Sequence, residues 1–286
     1  MAETDVTLPA WSLDREAART ELLPAVWPLD NPRDWAWGGS SGAGVKVCII
    51  DSGIDPSHPQ VGAIQGSLAV TVTDGELRVE TDHEGDLFGH GTACAGIIRS
   101  QAPDCEIHSM RVLGGELTGT GDVLVRGLSW AIDQRFDLIN LSLSTTKQHV
   151  AAQLRELADL AYFRNVKIVA SAHNMPVDSY PWRFSSVLSV GSHDGRDPFE
   201  YYVNASPPVE FVAPGVDLEL AWSDGTTIVA TGNSFAAPHI TGIGALILSK
   251  HRDLSPYELK AVMRAASSNE TSRRSAAPDA FGEAKR

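Results

Sequence analysis

The sequence predicts an α/β protein with a mostly parallel central sheet and helices on both of its faces. Three observations carry that expectation. Short runs rich in apolar and β-branched residues recur: VKVCII (45–50), EIHSMRV (106–112), DLINLSL (137–143), VKIVAS (166–171) and SVLSVG (186–191). Runs of this kind read as strands buried on both faces. Segments of helical period separate them, and alternation of strand and helix is the order that builds a parallel sheet. No internal repeat or low-complexity segment interrupts the pattern, so residues 35–267 read as one domain.

Taken in order, residues 1–34 are an expected N-terminal extension. MAETDVTLPAWSLDREAART has acidic residues and no apolar h-region, unlike a secretory signal. GGSSGAG (38–44) looks phosphate-binding at a glance, but it precedes a strand and lacks a GK[ST] ending, so a turn is expected. The strand 45–50 runs into Asp51, where Ser52-Gly53 lets the chain turn away. In LFGHGTACAGII, His90 stands between glycines where a small-residue helix begins. Leu124, Leu128 and Ile132 mark one helical stripe, and Val150, Leu154, Leu157 and Ala161 another. Ser234 opens a long apolar helix, with Pro238 in or near the first turn, where its missing N–H does little harm. Ser255-Pro256-Tyr257-Glu258 is a capping box with proline at the first helical position. Residues 268–286 lack an apolar period and are expected to form a flexible tail.

Composition narrows the function. A chain of 286 residues with 43% hydrophobic residues buries a sizeable core, and its net charge of −13 repels a polyanion, so no nucleic-acid partner is expected. No apolar run is long enough for a membrane span. Three cysteines leave at least one thiol unpaired, which argues against a disulfide framework and suits a reducing, cytoplasmic setting; removal of a leader would make the protein secreted instead.

In a parallel α/β sheet, functional side chains gather beyond the carboxyl ends of the strands, where Asp51, His90 and Ser234 are expected. Singly, each has an ordinary reading: Ser234 as a helix N-cap, Asp51 as a strand-end turn residue, His90 as one of nine histidines. The cluster His83, Glu84, Asp86 and His90 matches no zinc spacing, and no metal or other cofactor is expected.

The combination resembles the subtilisin-like serine peptidases. Asp51 in IIDSGID, His90 in GHGTACAG and Ser234 in GNSFAAPH follow the family's order of Asp, His and Ser. Further likeness lies in DLINLSLS, IVASAHN, VAPG (212–215) and ALILSKH (245–251). The resemblance implies a three-layer subtilisin-like fold and a serine endopeptidase acting on peptides or proteins through an acyl-enzyme. Ser234 would be the nucleophile, His90 the acid and base, and Asp51 the group that orients His90. The Asn174 amide and the Ser234 N–H would form the oxyanion hole. Gly119, Ser142, Leu143, Ser144 and His173 would bind substrate. Cys94 falls beneath His90 as a small buried hydrophobe, and His239 matches a structural position. Departures are Asn233 and Phe235 beside the nucleophile, Ser144, Thr145 and His173 in place of glycines, and no room before QAP (101–103) for the family's calcium loop. Two alternatives keep the fold: maturation of a precursor peptide, and an inactive binding protein.

Overall fold

The computed structural model describes residues 31–204, 206 and 208–270, so the expectations for residues 1–30 and 271–286 lie outside the described residues. The central strand β1 (Lys46–Asp51) shows why the strands read as unbroken apolar runs. Successive side chains alternate between faces. Val47 and Ile49 pack into a layer with α2 (His90–Gln101) and α5 (Asn233–Lys250). Cys48 and Ile50 pack into the opposite layer with α3 (Gly121–Asp133) and α4 (Gln148–Phe163). Helices therefore cover both faces, as expected.

The sheet has nine strands in the order β3-β2-β4-β1-β5-β6-β7-β9-β8. They are β2 (Gly66–Thr73), β3 (Glu76–Thr81), β4 (Glu106–Arg111), β5 (Leu138–Leu141), β6 (Lys167–Ser171), β7 (Leu188–His193), β8 (Tyr202–Val203) and β9 (Phe211–Pro214). From β2 to β9 every pairing is parallel; only the edge strands β3 and β8 run antiparallel. All five predicted strands and each predicted helix are present. The sequence reading leaves two hairpins unassigned: β2–β3, and a separate pair β10 (Leu218–Ala221) and β11 (Thr227–Ala230).

Helix α5 is apolar all round because it is enclosed, with every residue from Phe235 to Leu248 buried. The capping box opens α6 (Pro256–Ala265) as predicted: Ser255 Oγ accepts from Glu258 N–H at 3.2 Å, and Glu258 Oε2 from Ser255 N–H at 2.7 Å. The packed body reaches past both expected limits. Helix α1 (Pro32–Trp37) lies across the boundary at residue 35 and docks on α5, with Lys250 Nζ donating to Asp34 O at 2.7 Å and Trp35 stacked on His251. At the other end Asn269 exchanges hydrogen bonds with Val203 at 2.8 and 3.1 Å. The three cysteines are free and buried. Among the described residues no helix is long and apolar enough to cross a membrane.

Candidate active site

The carboxyl ends of β1, β4, β5 and β6 open on one side of the sheet, where the helices α2 and α5 begin. Asp51 ends β1 and is fully buried, with Oδ1 accepting from Ser52 N–H at 2.8 Å. His90 is the first residue of α2. Asp86 builds the turn that aims it: Oδ1 accepts from Ser52 Oγ, Phe88 N–H and Gly89 N–H at 2.8–3.0 Å. Oδ2 of Asp86 accepts from Thr92 N–H at 2.9 Å and from its hydroxyl at 2.5 Å. Gly91 lets α2 meet the end of β1, because a Cβ there would overlap the Gly53 carbonyl. His90 Nδ1 consequently lies 2.9 and 3.0 Å from the two oxygens of Asp51.

Burial is the largest single influence and disfavours a charged imidazole, but the charge and hydrogen bond of Asp51, with Cys94 adding to them, together hold the His90 pKa well above the ordinary histidine value. Cys94 sits as expected beneath this pair, its Sγ 3.9 Å from Asp51 Oδ2 and 3.9 Å from Ser234 O. Burial pushes its thiol pKa up, so the sulfur stays neutral. Asp51, His90 and Cys94 bring their ligand atoms within 4.8 Å of one another, so a metal held there would compete with the proton between His90 and Asp51. The acidic stretch beside them is already committed, since Arg111 pairs with Asp82 at 2.9 Å and Glu84 at 2.5 Å. His239 is buried in α5, and burial lowers its pKa to about 4, which keeps it neutral.

Ser234 is not a cap. Gly232 holds the N-cap position of α5, and no side chain makes a capping bond there, so the Ser234 hydroxyl is left for other work. Asn174 is turned by its neighbour: its Oδ1 accepts from Asn233 N–H at 2.9 Å, which leaves Nδ2 to donate elsewhere. A Cβ built on Gly232 would sit 3.1 Å from Ser234 Oγ and 3.5 Å from Asn174 Nδ2, so hydroxyl and amide face the same small space. Asn233 Oδ1 accepts from Ser192 N–H at 2.9 Å and Oγ at 2.8 Å, while Nδ2 donates to His173 O at 3.3 Å. Phe235 packs on His90 with ring centroids 5.1 Å apart.

The expectation for Pro238 needs correction. It is the sixth residue of α5, beyond the first turn, so it withholds the N–H that the Ser234 carbonyl would otherwise receive. Ser142 Oγ fills the gap, donating to Ser234 O at 2.7 Å.

His90 and Ser234 open onto a cleft of about 380 Å³ whose walls include Gly119, Ser142, Leu143, Ser144, His173 and Asn174. Every residue proposed from sequence lines it except Asp51, which lies beneath His90. The sequence reading missed Leu113, Leu117 and Thr118 from the loop after β4, and Lys147. That loop leaves the carboxyl end of a strand, which is the signal that could have found it.

Residues 42–283 match the Subtilase family model. The chain belongs to the subtilase family, and it is a subtilisin-like serine peptidase. Subtilisin DY of Bacillus licheniformis is 31% identical over 246 residues, covering 81% of this chain and 86% of that one. Subtilisin E of Bacillus subtilis (strain 168) is 31% identical over 228 residues, covering 74% of this chain and 58% of the relative's length. A crystal structure of a cold adapted subtilisin-like serine proteinase superposes with a TM-score of 0.65 at 28% identity, covering 79% and 83% of the two chains.

Proposed function

We propose that Asp51, His90 and Ser234 form the catalytic triad and that the protein cleaves selected peptide bonds through an acyl-enzyme. The observation that supports this best is the buried Asp51 carboxylate held by both oxygens against Nδ1 of a histidine that shares its cleft with an uncommitted serine. Ser234 Oγ attacks the substrate carbonyl while His90 takes its proton. Asp51 keeps the imidazole in the tautomer with its proton on Nδ1 and stabilises the imidazolium. Asn174 Nδ2 and the Ser234 N–H receive the oxyanion. His90 then gives its proton to the leaving amine, and water reverses the sequence to free the acid. No cofactor or metal enters the scheme.

Selectivity rests on walls that are fixed in place. Thr145 and Tyr180 exchange backbone hydrogen bonds at 2.9 Å, and His173 Nδ1 accepts from Met175 N–H at 2.9 Å. A rigid lining rejects misfitting side chains by steric clash. The free, buried thiols suit a cytoplasmic site of action. Ser234→Ala tests the nucleophile: a serine-directed fluorophosphonate should label the wild type and not the variant, and peptide hydrolysis should vanish. Because the hydroxyl caps nothing, Tm should stay within about 2 °C. Full turnover by the alanine variant sinks the scheme.

A further inference from the structure

A carbonyl orphaned by proline lies at the centre of the site. In an α-helix the carbonyl of residue i accepts from the N–H of residue i+4. For Ser234 that residue is Pro238, so the backbone oxygen of the nucleophile lacks its i+4 donor. A buried carbonyl left without a donor is destabilising, so a partner from outside the helix ladder is required. Ser142 Oγ, at 2.7 Å, supplies the bond. Cys94 Sγ, a weak donor at 3.9 Å, does not replace it.

Ser142 does not act alone. Its Oγ lies 3.0 Å from Asn140 Nδ2, and Asn140 Oδ1 lies 2.8 Å from Thr241 Oγ1. Asn140 and Thr241 are fully buried, and Ser142 is buried at the cleft wall. The last acceptor fixes the direction of the chain. A carbonyl only accepts, so Ser142 donates its one proton to Ser234 O and must receive from Asn140 Nδ2. Asn140 then presents its oxygen to Thr241 Oγ1 at 2.8 Å, whose one proton goes to this nearer acceptor in competition with the Ala237 carbonyl at 3.1 Å. The peptide unit after Ser234 is thus held at both polar ends, because its N–H, on Phe235, donates to Gly232 O at 3.1 Å.

We infer that Thr241, Asn140 and Ser142 form a positioning chain that locks the backbone of Ser234, and through it the direction of the nucleophilic hydroxyl. Ser142, expected from sequence to bind substrate and present in the cleft wall, acts in addition through its side chain on the nucleophile. This inference rests on Ser234 being the nucleophile. Geometry errors of about 1 Å at such a centre cost on the order of 10²-fold in rate.

The test compares Ser142→Ala and Thr241→Val with the hydroxyl-retaining Ser142→Thr and Thr241→Ser, reading kcat, KM, the fluorophosphonate labelling rate and Tm. Ser142→Ala should lower kcat and labelling roughly 10–100-fold, with KM within about threefold, and Ser142→Thr should restore most of the loss. Thr241→Val, remote from substrate and unchanged in shape, should move the same two quantities in the same direction by roughly 3–10-fold, and Thr241→Ser should recover them. A rise in KM at constant kcat for Ser142→Ala would mean a substrate contact and would overturn the inference. So would wild-type kcat in either variant. If Ser142→Ala fails to fold, Thr241→Val alone decides. A wild type that the probe does not label defeats the Ser234 reading itself, whereas labelled wild type with unaffected variants defeats only the positioning chain.

Discussion

At the residue scale, one carboxylate sets the chemistry of the histidine. His90 must be neutral to accept a proton, and Asp51 raises its pKa above the ordinary value of about 6.5. The acid limb of kcat/KM against pH should therefore fall above pH ~6.5, with activity lost as pH drops through it. A limb at or below that value would show that burial, not Asp51, dominates. The same raised pKa stabilises the fold fully below the unfolded value of about 6.5, and that contribution fades as pH rises through the folded pKa. Asp51, His90 and Ser234 were legible together and not one by one, because the signal lies in three motifs standing in one order along the chain. The roles of Asn233 and Ser142 were not legible, since each depends on partners from other elements: Ser192 and His173 for the first, Asn140 and the Ser234 carbonyl for the second.

At the element scale, the site depends on how closely α2 meets β1. Gly91 stands against the Gly53 carbonyl, and a Cβ there would also lie 3.2 Å from Asp51 Cβ. Gly91→Ala should push α2 outward, separate His90 from Asp51 and lower kcat/KM by at least about 10²-fold, together with a measurable fall in Tm. Near-normal kinetics would mean that the contact relaxes without moving His90. The hairpins left unassigned from sequence have a related lesson. Asp74-Gly75 and Asp224-Gly225 both adopt positive φ, as a tight hairpin turn requires. The Asp-Gly signal stood in the sequence, but β3 and β11 carry too few buried residues for an apolar run to mark them.

At the scale of the whole molecule, a half-buried cation ties distant segments together. The Arg99 guanidinium donates to four backbone carbonyls: Val61 at 3.1 Å, Ala63 at 3.0 Å, Pro103 at 2.7 Å and Cys105 at 2.9 Å. It joins the chain leaving β1 to the chain entering β4. Arg99→Met should cost about 2–4 kcal/mol, because charged donors are worth more than neutral ones and four carbonyls lose theirs. In a chain of this size that is a fall in Tm of roughly 3–7 °C. EDTA should leave Tm within about 1 °C and activity unchanged, as expected where no bound ion stabilises the native state. A large chelator effect would reveal a cation site in the native protein.

What the sequence determined by itself was the alternation of buried strands and helices, and hence the parallel sheet, together with the positions of Asp51, His90 and Ser234 at element ends. These follow from local periodicity and from the turn residues beside each strand, which a linear reading senses directly. Only the tertiary structure decided which hydroxyl caps a helix and which stays uncommitted, where a proline leaves a carbonyl unpaired, and which side chain answers it. Ser142 meets the Ser234 carbonyl across 92 positions of chain, and Asn140 meets Thr241 across 101. No local pattern encodes such a meeting, because the partner is chosen by sheet order and helix packing and not by neighbours in sequence.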